Sequence, residues 1–138
     1  MNRQVTKLIA AIALATAVGL PLVSAPARAG GAIGFYYSPP TARDARALDF
    51  GLRAYSAYKG LRSGAHIRQR GWNNRAGIDQ DGARNLGIVR QEGSGHSATL
   101  RQDGNDSSYG IFQFGRNTEA NVVQAGDRQS GAALLFGW

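Results

Sequence analysis

Glutamine recurs every eleven residues through the second half of the chain, at Gln69, Gln80, Gln91, Gln102, Gln113 and Gln124. A glycine stands two places after each, at Gly71, Gly82, Gly93, Gly104, Gly115 and Gly126. A fixed period of this kind means one small structural unit used repeatedly, and it restricts the fold more than any other feature of the sequence. A seventh unit precedes the six, with Tyr58 in the glutamine place and Gly60 in the glycine place. Leu135-Phe136-Gly137-Trp138 begin an eighth that stops.

Counting each unit from its glutamine, position ten is Ile67, Ile78, Val89, Leu100, Ile111, Val122 and Ala133, a wholly aliphatic column. Position eight is mostly small: Ala65, Ala76, Gly87, Ala98, Tyr109, Ala120 and Gly131. Position six is always polar: Ser63, Asn74, Asn85, His96, Ser107, Thr118 and Gln129. Positions six, eight, ten and the next glutamine lie two apart, the period of a strand with one face turned inward. An eleven-residue repeat also suits a right-handed helical coiled coil. A glycine in every unit, turn residues just after it, and short runs such as "LGIVRQ" and "SATLRQ" favour strand and turn instead.

Each unit is therefore predicted to be a tight turn at "Q-x-G-x-x" followed by a strand of about six residues. One strand with a single large apolar site cannot fold alone. Two units make a strand-turn-strand arch, and stacked arches make an all-β, two-sided β-solenoid with a 22-residue repeat in which every unit lies over the unit two further on. This places Ile67, Val89, Ile111 and Ala133 in one apolar ladder and Ile78, Leu100 and Val122 in the other. It stacks Gln69, Gln91 and Gln113 on one wall and Gln80, Gln102 and Gln124 on the opposite wall, where amide ladders satisfy each buried side chain. Asn74 and Asn85 join the inward set, and the glycines, Gly60 included, supply the turns. Tyr109 falls between Gly87 and Gly131, which have room for it. Arg84, Asp106 and Arg128 alternate in sign and Asp79 meets Arg101, while Asp81 on Asp103 and Arg68 on Arg90 are unfavourable like-charge neighbours.

Seven units give about three and a half rungs, roughly 17 Å at the usual strand spacing of about 4.8 Å. Both ends of such a body are rows of backbone donors and acceptors. The last residues, Leu134, Leu135, Phe136 and Trp138, carry no charge or proline to blunt that edge. End-to-end addition of chains into a cross-β amyloid fibre is the expected outcome.

Residues 1–29 have the form of a signal peptide: Arg3 and Lys7, then the apolar "LIAAIALATAVGLPLV", then Ala27-Arg28-Ala29 before Gly30. Without them 13 basic side chains face 9 acidic ones. Arg53, Lys59, Arg62, Arg68, Arg70 and Arg75 arrive with no acid among residues 50–78, but no nucleic-acid recognition motif accompanies them, and an exported protein has no usual nucleic-acid partner. Catalysis finds no footing. The chain has no Cys; His66 and His96 sit in different columns and are expected to be solvated or in turns, so neither metal nor cofactor is expected.

The pattern S-x5-Q-x-G-x2-N-x-A-x3-Q is that of the curlin repeat, and Ser63, Gln69, Gly71, Asn74, Ala76 and Gln80 match it in full. Ser107, Gln113, Gly115, Ala120 and Gln124 match with Thr118 for Asn. Gln91, Gly93, Ala98 and Gln102 match with Asn85 for Ser and His96 for Asn. Residues 58–138 thus resemble a curli functional-amyloid subunit, and the Arg-rich "NRAGIDQDGARNLGIVRQEG" is closer to the minor, nucleating curlin than to the major one. The resemblance implies passage through the periplasm, a dedicated outer-membrane secretion pore with its assembly factors, and self-assembly with other curlin subunits into cell-surface fibres for adhesion and biofilm. By the same resemblance residues 30–57 are a secretion-targeting segment, flexible in the fibre; on their own pattern, "ARALDFGLRAYSAY" reads as a short amphipathic helix capping the first rung. A different class of reading is a monomeric solenoid that binds surface polysaccharide through Arg70, Arg90, Arg101 and Trp72.

Overall fold

The computed structural model describes residues 30–61 and 64–138. The expected signal peptide and Ser63 lie outside them. The chain forms strand β1 (Ala32–Tyr37), helix α1 (Ala42–Tyr58), and strands β2 (Gly64–Arg70), β3 (Arg75–Asp81), β4 (Leu86–Ser94), β5 (Ser97–Asp103), β6 (Ser108–Arg116), β7 (Glu119–Ala125) and β8 (Ser130–Gly137). Strands β2 to β8 coil into a β-solenoid of about three turns. Alternate strands fall on alternate walls: one sheet has the order β1-β8-β6-β4-β2, the other β3-β5-β7.

The register follows the repeat without a slip. Ile67 pairs with Val89, Val89 with Ile111 and Ile111 with Ala133 on one wall, and Ile78 with Leu100 and Leu100 with Val122 on the other. All the solenoid pairings are parallel, as stacking of like units demands. Tyr109 does lie between Gly87 and Gly131. A Cβ on Gly131 would come within 2.3 Å of the Tyr109 ring, so the small residue there is what admits the large one. The inward cluster is Val89, Ala98, Leu100, Tyr109, Ile111, Ala120, Ala133 and Leu135, a core only two side chains deep.

The turns rest on two left-handed positions per unit. Gly93 has φ +128°, and a Cβ on it would stand 1.8 Å from the Gly115 carbonyl oxygen of the next rung. Backbone approach and backbone conformation therefore both exclude any other residue there. The second position is the fifth of each unit, where Asn73, Arg84, Asp106, Asn117 and Arg128 all have φ between 53° and 58° and Gly95 has φ +71°.

Residues before the repeats include the helix expected at "ARALDFGLRAYSAY", but its place differs from the expected one. Helix α1 begins after Pro39-Pro40, with Thr41 Oγ1 accepting the Asp44 N–H at 3.1 Å as N-cap. It ends in a Schellman closure, Gly60 N–H to Ala57 O and Leu61 N–H to Ser56 O. Tyr58 and Gly60 are thus the last turn and C-terminal glycine of a helix, not the glutamine and turn places of a first solenoid unit. The helix signals outcompete a repeat match that lacked its glutamine. Nor does α1 cap the first rung: Leu48, Leu52 and Tyr55 lie on the outer face of the five-stranded sheet, against Leu86, Ile88 and Phe112. Gly110 leaves space for Leu52, whose Cδ2 would be 3.0 Å from a Cβ there. Tyr55 meets Phe112 edge to face at 5.9 Å.

On the last rung one of the two strands, β8, is covered. β1 runs antiparallel along β8, pairing Ala32 with Gly137 through to Tyr37 with Ala132, and the Trp138 N–H donates to the Gly31 carbonyl at 2.8 Å. The expectation of two open ends is corrected at one edge only: β8 is paired with the segment that precedes the helix, while the edges of β2, β3 and β7 have no strand partner among the described residues. An apolar, uncharged edge strand is costly to leave unpaired, and "AIGFYY" is near enough to pair with it.

Candidate functional site: the glutamine ladders and the ends of the solenoid

The chemistry of this molecule lies in its amide columns. Gln69 Nε2 donates to Gln91 Oε1 at 2.8 Å, and Gln91 Nε2 to Gln113 Oε1 at 2.8 Å. On the opposite wall Gln80 donates to Gln102 and Gln102 to Gln124, each at 2.7 Å. The second N–H of each interior amide crosses the core to a backbone carbonyl: Gln91 to Arg75 at 2.7 Å, Gln102 to Leu86 at 3.2 Å, Gln113 to Ser97 at 2.9 Å and Gln124 to Ser108 at 3.3 Å. Gln91 and Gln102 thus tie their rung to the next and one wall to the other. Gln91, Gln102 and Gln113 are completely buried, and among the described residues no buried side-chain polar atom lacks a partner.

Position six holds the arches at their bends. Asn85 Nδ2 donates to the Gly104 carbonyl at 2.8 Å while its Oδ1 accepts the Ser107 N–H at 3.1 Å. Asn74 does the same toward Gly93 and His96. His96 lies in the turn between β4 and β5, one of the two settings expected, but it is not solvated: it is 1 % exposed, with Nδ1 2.7 Å from Thr118 Oγ1 and Nε2 3.2 Å from the Glu92 carbonyl. It occupies an asparagine place and uses its two nitrogens as asparagine uses its amide. Among the described residues no three His, Cys, Asp or Glu groups converge as a metal would need.

The structure brings together all the predicted ladder residues, Gln69 to Gln124, Asn74, Asn85 and the aliphatic column from Ile67 to Val122, but not all are equally enclosed. Val89 and Ile111 are inaccessible, whereas Ile67 on the first rung is 46 % exposed, because nothing among the described residues lies ahead of it. The outer edges of β2, β3 and β7 likewise have no strand partner among those residues.

Charge is arranged outside the core. Arg84 forms a two-pronged pair with Asp106, at 2.5 and 2.8 Å, and this hydrogen-bonded guanidinium, with Arg128 and Arg53 adding to it, holds the Asp106 carboxyl below its ordinary value. Arg90 was expected on a polysaccharide-binding surface with Arg70, Arg101 and Trp72. Instead it lies against the helix, bonded to Glu92 and to the Tyr55 hydroxyl. Arg101 points outward from the opposite wall to Arg70, so these side chains do not form one patch.

Two functional features escaped the sequence reading. The left-handed fifth position has a visible sign in hindsight, since four of its six residues are Asn, Asp or Gly. Tyr36 has none. Its side chain leaves β1 across the top of the last rung and its hydroxyl donates to the Glu119 carbonyl of β7 at 3.4 Å. Burial, then the nearby Glu119 carboxylate, raise its phenol above the ordinary value.

No curated protein and no solved structure matches the chain. The family model described as the Curlin associated repeat matches it twice, over residues 71–104 and 82–115. The matched stretch, residues 71–115, is similar to curlin associated repeats and lies within the walls that the glutamine ladders bind together.

Proposed function

We propose that this protein is a structural subunit of an extracellular curli-type amyloid fibre, in which the solenoid of one chain continues into the next. The curlin repeat family is one of structural amyloid subunits and not of enzymes, and the match suggests a fibre subunit. The observation that carries the reading is the state of the ladders at their ends. Gln69 and Gln80 donate inward with no glutamine before them, and Gln124, on the unpaired edge of β7, has none after it, so three of the four column ends have bonding capacity facing outward; the fourth closes at Gln113, whose amide donates to the Ser97 and Thr118 carbonyls opposite Leu135. In this reading residues 1–29 are the export signal, residues 64–138 carry the fibre core, and the secretion pore and assembly factors of the family deliver the chain to the cell surface.

Within that role we assign the minor, nucleating part rather than the bulk one. The Arg-rich repeat phrases support it, and so does the helix-covered sheet face, which leaves the three-stranded wall as the only repeat face without a cover among the described residues. The purified protein is expected to form fibres that resist sodium dodecyl sulfate and diffract at about 4.8 Å along the axis. A chain that stays monomeric for days at tens of micromolar contradicts the reading. Substoichiometric amounts shortening the lag of a major curlin support the nucleating role, and an unchanged lag assigns the chain to the bulk of the fibre.

A further inference from the structure

Continuing the eleven-residue alternation past Trp138 puts the next strand place over β7 and the one after it over β8. The first two repeat strands of a second copy, β2 and β3, have the spacing to fill them. In that register Ala120, Val122 and Gln124 of β7 meet Ala65, Ile67 and Gln69 of the incoming chain, like on like in every inward column. Gln124 lies where its amide would donate to Oε1 of the incoming Gln69, as Gln102 already donates to Gln124. The match over β8 is poorer. Ala133 would meet Ile78, but Leu135 stands where a glutamine would be needed to bond Gln80.

It is this second place that is filled. β1 lies along β8 with Gly34 on Leu135 and Tyr36 on Ala133, and the Tyr36 side chain reaches over to the Glu119 carbonyl, above the edge of β7 that the incoming β2 would use. We infer that β1 is a displaceable plug on the growing end: a second copy joins through β2 on β7, and joining is completed only when its β3 replaces β1 on β8. The inference rests on the fibre reading and adds its control point. An antiparallel strand cannot continue the parallel register of the solenoid, so a chain with β1 in place terminates the stack. Because Leu135 makes the β3 join weaker than an interior rung, a six-residue strand is enough to compete with it. β1 also binds at the same end whether the chain is free or is the last in a fibre, so every addition passes through its release.

The chain has no cysteine, which permits a clean lock. Tyr37→Cys with Ala132→Cys joins two residues directly opposite in the β1–β8 pair, at a separation a disulfide spans. The oxidised double variant is expected to stay monomeric, and a small fraction of it added to wild type is expected to arrest growth; reductant restores assembly to the rate of the unoxidised variant. Tyr36→Ala, which leaves the solenoid intact and removes only the reach to β7, is expected to shorten the lag about five-fold, the factor for one ordinary hydrogen bond. Oxidised and reduced variants that elongate alike, or a Tyr36→Ala lag equal to or longer than wild type, overturn the plug while leaving the fibre reading intact. Wild type that forms no fibre under the same conditions overturns both.

Discussion

Replacing Gln102 by alanine tests the ladder where it is most enclosed. Gln102 is completely buried. It accepts from Gln80 at 2.7 Å, donates to Gln124 at 2.7 Å and donates across the core to the Leu86 carbonyl at 3.2 Å. Alanine deletes all three bonds and leaves an amide N–H, an amide oxygen and a carbonyl facing a space the small side chain cannot fill. A net hydrogen bond contributes about 1 kcal/mol and a stranded buried polar group costs roughly 1–3 kcal/mol. Relaxation at the Gln80 end, which is partly open to water, recovers some of this, so the expected loss is about 3–5 kcal/mol, a large part of the roughly 5–15 kcal/mol that holds a small domain. The control is Arg101→Ala, next in sequence but exposed on the outer face, with an expected change within about 0.5 kcal/mol. Arg90 would serve poorly, since it is bonded to Glu92 and Tyr55. Urea midpoints of the two variants, measured before assembly begins, give the comparison. Equal midpoints would refute the claim that the glutamine columns hold the walls together.

Gly93→Ala forces a left-handed alanine and a Cβ 1.8 Å from the Gly115 carbonyl, so it is expected to cost at least about 3 kcal/mol; Gly77→Ala, in a strand with nothing near its Cβ, should be neutral or stabilising by about 0.5 kcal/mol in the same thermal unfolding assay. Arg128 holds φ +56° without the short polar side chain that eases that conformation, and Arg128→Gly is expected to raise stability by up to about 1 kcal/mol; a fall in melting temperature would contradict this. Burial pushes the Tyr109 phenol up from its ordinary 10.0 to about 12. The fold favours the neutral form, so the contribution is fully present below the ordinary value and is lost as pH rises through the folded one, roughly 3 kcal/mol in all. Alkaline unfolding should therefore coincide with the phenolate absorbance of Tyr109, and Tyr109→Phe should unfold at higher pH; titration of Tyr109 at its ordinary value in the folded protein would refute the burial argument.

The stacked columns were legible in the sequence because period and register are one fact here. Once Gln80 lies over Gln102, every neighbour of Ile78 and Asn85 is determined, and a slip of one residue would turn Leu100 into water. The covering of the β8 edge was not legible. The β1–β8 pair joins the two ends of the described residues, antiparallel, through "AIGFYY", which shares nothing with the repeat and has no partner visible in its own neighbourhood. The outer face of the five-stranded sheet was missed for a different reason. Leu86, Ile88 and Phe112 fall in columns that are polar or mixed in other units, and only the docking of Leu52 gives them a common environment. His96 is in a turn, as one of its two expected settings has it, and what was not legible is its burial, which the geometry of an asparagine place decides.

The central claim is that the solenoid continues from chain to chain, and the most direct measurement is solid-state nuclear magnetic resonance on fibres grown from a mixture of nitrogen-labelled and carbon-labelled protein. Contacts in such fibres can only be between chains. The account predicts a cross-peak between the side-chain nitrogen of Gln124 and the side-chain carbonyl of Gln69, with none joining interior glutamines of different chains. Cross-peaks between Gln91 and Gln91, or Gln102 and Gln102, would mean that identical residues stack in register between extended chains, and would contradict it.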